Sequence, residues 1–161
     1  MKAEITAEHA WLHRLVGEWR NEMATLDGVD QPAGVMAGSE SVRRLGDAWV
    51  LAEGRGQMPD GTVTQTLMTL GYDPARQCFV GSWIGSMMNH LWHYQRGTLD
   101  ADRHVLTLEA DGPRFDGQPG LAHYRDVIEI VDDHTRLLHG NLQRDDGSWS
   151  RFMTARYRRV R

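Results

Sequence analysis

The chain holds a single cysteine, Cys78, which excludes an internal disulfide framework and any cysteine-based zinc site. Such usage fits a reducing compartment. A basic surplus is also missing: 18 Lys and Arg stand against 22 Asp and Glu, for a formal net charge of −4. Nucleic-acid binders normally carry the opposite balance, so nucleic acid is not an expected partner. No apolar run approaches the roughly 18 residues of a membrane span. The opening MKAEITAEHAWLHRLVGEW sets Glu4, Glu8 and His9 where a secretory leader needs its apolar stretch. No leader or membrane segment is expected, and the location expected is cytoplasmic. There is no repeat, low-complexity tract or linker. At 161 residues, 40% hydrophobic and 25% charged, the chain is expected to be one domain over 1–161.

Motifs for chemistry are equally scarce. His90 and His93 are three apart, which on a strand puts them on opposite faces. His9 and His13 have helical spacing but lack the intervening Glu of H-E-x-x-H. No metal is expected. Ser82 and Ser86 have no G-x-S-x-G context, and Cys78 at a strand start reads as a small hydrophobe. The basic end, Arg156, Arg158, Arg159 and Arg161, reads as a solvated last strand and tail.

What is present is a change of period. Thr6 to Val16 reads as a helix within about residues 6–17, with Thr6 as N-cap, Glu8 in the first turn and Gly17 at the end. Trp11, Leu12, Leu15 and Val16 share one stripe. From Glu18 the period falls to two, with turn signals roughly every 8–14 residues. The expected strands are Glu18–Leu26, Met36–Leu45, Ala48–Gln57, Thr62–Tyr72, Cys78–Met87, His90–Leu99, His104–Ala110, Leu121–Val131, Thr135–Gln143 and Trp149–Arg158. Asp27-Gly28, Gly46-Asp47, Pro59-Asp60-Gly61 and Asp73-Pro74 are among the turns. About ten strands with short connections must pair antiparallel as a meander, and closure removes the raw edges. Gly54, Gly56, Gly81, Gly85 and Gly97 allow the bends. The fold class expected is all-β: an up-and-down barrel of lipocalin, fatty-acid-binding or nitrobindin type with one short N-terminal helix. A two-sheet sandwich is the alternative.

Several stretches together resemble domain-of-unknown-function family 1579. They are Glu8-His9-Ala10-Trp11-Leu12 with Leu15-Val16-Gly17-Glu18-Trp19, Ala52-Glu53-Gly54, Met58-Pro59-Asp60-Gly61 and Met68-Thr69-Leu70-Gly71-Tyr72-Asp73-Pro74. Phe79 through Met88, Tyr124-Arg125-Asp126-Val127-Ile128-Glu129 and Phe152-Met153-Thr154-Ala155 complete the set. The resemblance spans nearly the whole chain. It implies a calycin-type, lipocalin-like barrel and no established activity.

Along barrel strands, residues alternate between inside and outside. Both faces of several strands carry apolar groups, so alternation alone does not settle which faces inward. The residues expected to line a ligand cavity are Trp83, Met87, His90, Trp92, Tyr94, Arg125, Glu129 and His139, with Glu53 as a further polar candidate. Aromatic and methionine groups with a few convergent polar ones suit a small, mostly apolar molecule. The plain alternative is a packed core in which Arg125 pairs with Glu129 or Glu53. Three further readings stay open. In an enzyme, His90 or His139 would work with Glu129 or Glu53, and Glu53, Glu109, Asp126 and Glu129 are carboxylates able to pair inside. A haem barrel is the second: Gly17-Glu18-Trp19 resembles the start of the nitrobindin G-x-W-x-G-x-G motif, but Arg20-Asn21-Glu22 departs from it. The third is a structural barrel that pairs as a homodimer. No cofactor is expected. Arg156-Tyr157-Arg158 lacks the alternate Arg and Tyr that intracellular lipid carriers use for a carboxylate.

Overall fold

The computed structural model describes residues 1–25, 35–58 and 60–161. The expected turn at Asp27-Gly28, the stretch Val29–Ala33 and Pro59 lie outside the described residues. A short helix, α1 (Ala7–His13), precedes ten strands: β1 (Gly17–Thr25), β2 (Val35–Leu45), β3 (Trp49–Gln57), β4 (Val63–Asp73) and β5 (Cys78–Gly85), then β6 (Trp92–Leu99), β7 (Val105–Pro113), β8 (Leu121–Ile130), β9 (Thr135–Gln143) and β10 (Trp149–Arg159). Each strand pairs antiparallel with its sequence neighbour. β10 pairs with β1, which closes the barrel. No described helix is long and apolar enough to cross a membrane.

Strand positions follow the sequence expectation closely, with two differences that matter for the site. β5 stops at Gly85 and β6 starts at Trp92, so Ser86–Leu91 forms a six-residue connection where the expected strands Cys78–Met87 and His90–Leu99 left only Met88 and Asn89 between them. Ser86 exchanges hydrogen bonds with Gln65 of β4, its N–H to the Gln65 carbonyl at 2.8 Å and its hydroxyl accepting the Gln65 N–H at 2.9 Å. That anchor ends the β5 ladder and releases Met87, Met88 and His90 from strand alternation. β7 runs on to Pro113, three residues beyond the expected Ala110, because Asp111, Gly112 and Pro113 still pair with β8.

The helix is shorter than expected. Thr6 is its N-cap, in extended conformation, and its N–H donates to His9 Nδ1 at 3.0 Å. After His13 the chain tightens: the N–H groups of Arg14, Leu15 and Val16 reach back three residues, to the carbonyls of Trp11, Leu12 and His13. This turn leads into Gly17 at φ 144°, a value side-chain-bearing residues rarely adopt. The exposed helix-end carbonyls are met by Arg159. Its guanidinium donates to the carbonyls of Arg14 (2.8 Å), Val16 and Asp133 (2.7 Å) and lies over the Trp19 ring at 4.2 Å. One basic residue of the C-terminal run is therefore a helix C-terminal anchor and not a solvated charge.

The helix packs on β3 and β4 and plugs one end of the barrel. Trp11 meets Phe79 edge-on at 5.9 Å and donates from Nε1 to the Arg103 carbonyl at 2.8 Å. Leu12, Leu15, Trp19, Leu70, Leu106 and Ile130 are buried around it. Close approach in the wall depends on Gly81, where a Cβ would run into the Thr69 carbonyl of the facing strand. Gly81→Ala is expected to cost about 1–2 kcal/mol through overpacking against backbone. A urea unfolding midpoint unchanged from the parent would refute this.

Candidate functional site: the barrel lumen and its buried carboxylate

Register and burial together decide which face is inside. Leu106 and Leu108 of β7 are fully buried and pair with Ile128 and Asp126 of β8. Residues paired across a ladder share a face, so Ala122, Tyr124, Asp126, Ile128 and Ile130 point inward. The same logic carries around the wall: Met68, Trp83 and Trp92 align across β4, β5 and β6, with Gly81 beside Tyr94. On β9 and β10, Arg136, Leu138 and Gly140 face inward with Tyr157, Ala155 and Met153.

The two ends of the interior differ. Near the helix the interior leaves a cavity of about 20 Å3 among Leu15, Glu40, Val42, Val50, Met68, Arg136 and neighbours, the size of one water, and a more open cleft of about 300 Å3 lies beside the helix end among Val16, Trp19, Ile130 and His134. Towards the opposite end, inward-facing Asn21, Met23, Met36, Thr66, Trp83, Asp126, Leu142 and Met153 stay only partly buried. Solvent reaches these inward side chains from the mouth of the barrel. On the β2–β3 side Gly38 pairs with Gly56 and Gly54 with Glu40, and Asn21, Thr66 and Thr64 come close over Gly38, Gly54 and Gly56. An aromatic cluster stands beside the lumen. Trp92 meets Tyr124 at 4.9 Å and His90 at 5.0 Å, while Phe115 meets Tyr124 at 5.4 Å and Phe152 at 5.3 Å. Trp92 fits because Gly112 opposite has no side chain. Exposed Val63, Ile84, Met87, Leu91, Phe115 and Leu121 make the rim apolar.

Two polar pairs sit inside. Near the helix, Arg136 donates to Glu40, both almost buried, and its guanidinium lies 3.9 Å from the Tyr157 ring and 4.7 Å from Trp19. Arg136 Nε is buried with no hydrogen-bond partner among the described residues; the two ring faces are its compensation. Burial drives the Tyr157 hydroxyl far above its ordinary value, and the Glu40 charge adds to this. Midway along the barrel the Tyr94 hydroxyl donates to Asp126. Burial pushes the Asp126 carboxyl up to about 6, against the opposing pull of that hydrogen bond. Tyr94 is raised well above its ordinary value, by burial first and then by the Asp126 charge. Asp126 is deep in the barrel yet partly exposed, because it borders the lumen. No cation pairs with it among the described residues.

The expected site residues divide into three groups. Trp83, Trp92 and Tyr94 point inward. Met87 and His90 sit in the β5–β6 connection at the mouth; His90 Nε2 is 3.0 Å from the Asp111 carbonyl, and Met87 lies with the Trp83 ring beside Gly85. Arg125, Glu129, His139 and Glu53 are on the outer wall, because their strand neighbours Asp126, Ile128, Leu138 and Ala52 take the inward positions. Arg125 donates from Nε to Glu109 at 2.8 Å and stacks 4.0 Å from Trp149. His139 reaches Thr154 at 2.9 Å and Glu129 at 3.3 Å, and Glu53 faces Arg43 at 3.6 Å. The His139–Glu129 pair thus forms away from the lumen. Of the four candidate carboxylates only Asp126 faces in. Alternation in Tyr124-x-Asp126-x-Ile128-x-Ile130 was the available signal for it. Glu40, Arg136 and Tyr157 were not among the expected site residues, and they carry no motif.

The architecture defines a class: a ten-stranded antiparallel up-and-down barrel, plugged by a helix at one end, with inward side chains left partly exposed towards the other. Within it, the chain belongs to the family described as protein of unknown function (DUF1579), which matches residues 4–159. No curated protein matches the chain. Among solved structures it is similar to the S-type phycobiliprotein lyase CPES from Guillardia theta, at 11% identity and TM-score 0.62, over 98% of this chain and 94% of that one. It is also similar to EF1p2_mFAP2b bound to DFHBI (12% identity, TM-score 0.50, 94% and 98% covered) and to the redesigned barrel b11L5F_LGL (10%, 0.50, 93% and 95%). Likeness at these identities establishes the fold.

Proposed function

We propose that this protein binds a small, mostly apolar organic molecule in the barrel lumen, admitted past the apolar rim opposite the helix. The observation that carries the reading is the ring of inward-facing side chains left partly exposed in an otherwise closed wall, Trp83, Met23, Met36 and Met153 among them. Methionines adapt to irregular guests and Trp83 supplies a flat face. The similar barrel solved with DFHBI bound supports the fold's capacity for such a guest.

Nile red titration tests the reading. One equivalent is expected to bind saturably with a blue-shifted emission. Trp83→Ala is expected to weaken binding about tenfold, the worth of one aromatic contact, while Glu53→Ala on the outer wall leaves it unchanged. Non-saturating uptake, or equal loss in both variants, would overturn lumen binding. Native mass spectrometry and an absorption spectrum of the purified protein identify a retained guest, haem included. Light scattering in the same preparation reports whether two copies associate.

A further inference from the structure

We infer that the lumen selects guests bearing a cationic or strongly hydrogen-bond-donating nitrogen, which pairs with the carboxylate of Asp126. This rests on the lumen-binding reading above and specifies the chemistry of the guest. The argument is one of charge accounting inside the barrel. Among the described residues, the inward-facing charged side chains between the helix plug and the mouth are Glu40, Arg136 and Asp126. Glu40 and Arg136 neutralise each other in one ion pair. Among the described residues, Asp126 has only the Tyr94 hydroxyl, a neutral donor. Residues 26–34 and 59 contain no Lys, Arg or His, so no part of the chain beyond the described residues supplies the missing cation.

Geometry gives the carboxylate a reason to look outward from its hydrogen bond. Tyr94 occupies one oxygen, Oδ2. Oδ1 has no partner among the described residues, yet it is not a sealed, orphaned atom, so it borders accessible space. Its ladder neighbours are Leu108 on one side and Gly140 on the other, and Phe152 and Met153 pack over Gly140. Removal from bulk water has already raised its proton affinity, so an ionised Asp126 gains from any donor that replaces lost hydration. The Tyr94 bond fixes the carboxylate plane and holds the second oxygen at the lumen. A neutral apolar guest leaves this carboxylate unpaired, whereas an anionic guest meets repulsion in a low-dielectric space.

Isothermal titration at pH 7.5 with three matched probes tests this: 1-naphthylmethylamine, 1-naphthylmethanol and 1-naphthoate. The amine is expected to bind at least tenfold more tightly than the alcohol, and the naphthoate most weakly. Asp126→Asn is expected to bring the amine down to the alcohol's affinity while leaving the alcohol within about twofold. Tyr94→Phe, which keeps the charge, is expected to retain the amine preference in reduced form. If the alcohol binds as well as the amine to the parent protein, or Asp126→Asn keeps the preference, the inference fails while lumen binding stands. If none of the three binds, lumen binding fails with it.

Discussion

Arg136→Met is expected to destabilise the protein by about 3–5 kcal/mol, the usual cost of removing one member of a buried ion pair. The Arg136 side chain is 5% exposed and that of its partner Glu40 13%. Without the guanidinium, Glu40 is left as a lone inward charge beside Val42, Val50 and Leu15 in a space that holds about one water. The stacks on Tyr157 and Trp19 disappear as well. The cost should be mostly that of the orphaned charge. The double variant Glu40→Gln with Arg136→Met is therefore expected to recover at least half of it. Urea unfolding of the parent, both single variants and the double variant closes the cycle. If the double variant is as unstable as Arg136→Met alone, packing and not charge compensation is what Arg136 supplies.

Asp126→Asn is expected to act in the opposite direction at neutral pH and above. The folded carboxyl is pushed up to about 6 from an ordinary 3.8, so the folded state holds its proton more tightly than the unfolded chain. Below about pH 4 both states are protonated and the group is neutral towards folding. As pH rises from 4 to 6 the unfolded chain releases its proton first, and stability falls. Above pH 6 the full penalty applies, at most about 3 kcal/mol for a shift of roughly two units, less where lumen water screens the charge. Asparagine removes that penalty and still accepts from Tyr94. The variant should exceed the parent in stability at pH 8, with the gap closing below pH 4. Tyr94 and Tyr157 titrate far above this window. Loop carboxylates such as Asp116, held down to about 2 by Arg114, contribute alike to both proteins and cancel in the difference. A parent and variant with parallel stability–pH curves would show that Asp126 is not destabilised by its surroundings.

These two side chains illustrate what the sequence makes legible and what it hides. Strand succession was readable because turn residues such as Gly46-Asp47 and Asp145-Asp146-Gly147 interrupt a period of two, and β9 was bounded correctly from that alone. That Trp92 and Tyr94 share one face was readable from their spacing, but which face turns inward was not. Nor was the inward face of β8. Val127 on the outside is as apolar as Ile128 on the inside, and Arg125 and Glu129 look like candidate site groups until register places them on the outer wall, Arg125 against Glu109. Polar residues there outnumber those within, so a search for chemistry along β8 is drawn to the wrong face. Glu40 and Arg136 are 96 residues apart, and only ring closure brings them together.

The seam between β1 and β10 has a consequence for the growing polypeptide. Trp19 through Thr25 find their partners in Met153 through Arg159, so β1 waits for nine other strands before its outer ladder is occupied. Until β10 arrives, the incomplete wall carries two raw edges, β1 and β9, each able to recruit a neighbouring copy. Loss of the last eleven residues of strand would thus leave a sticky ribbon in place of a slightly shorter barrel.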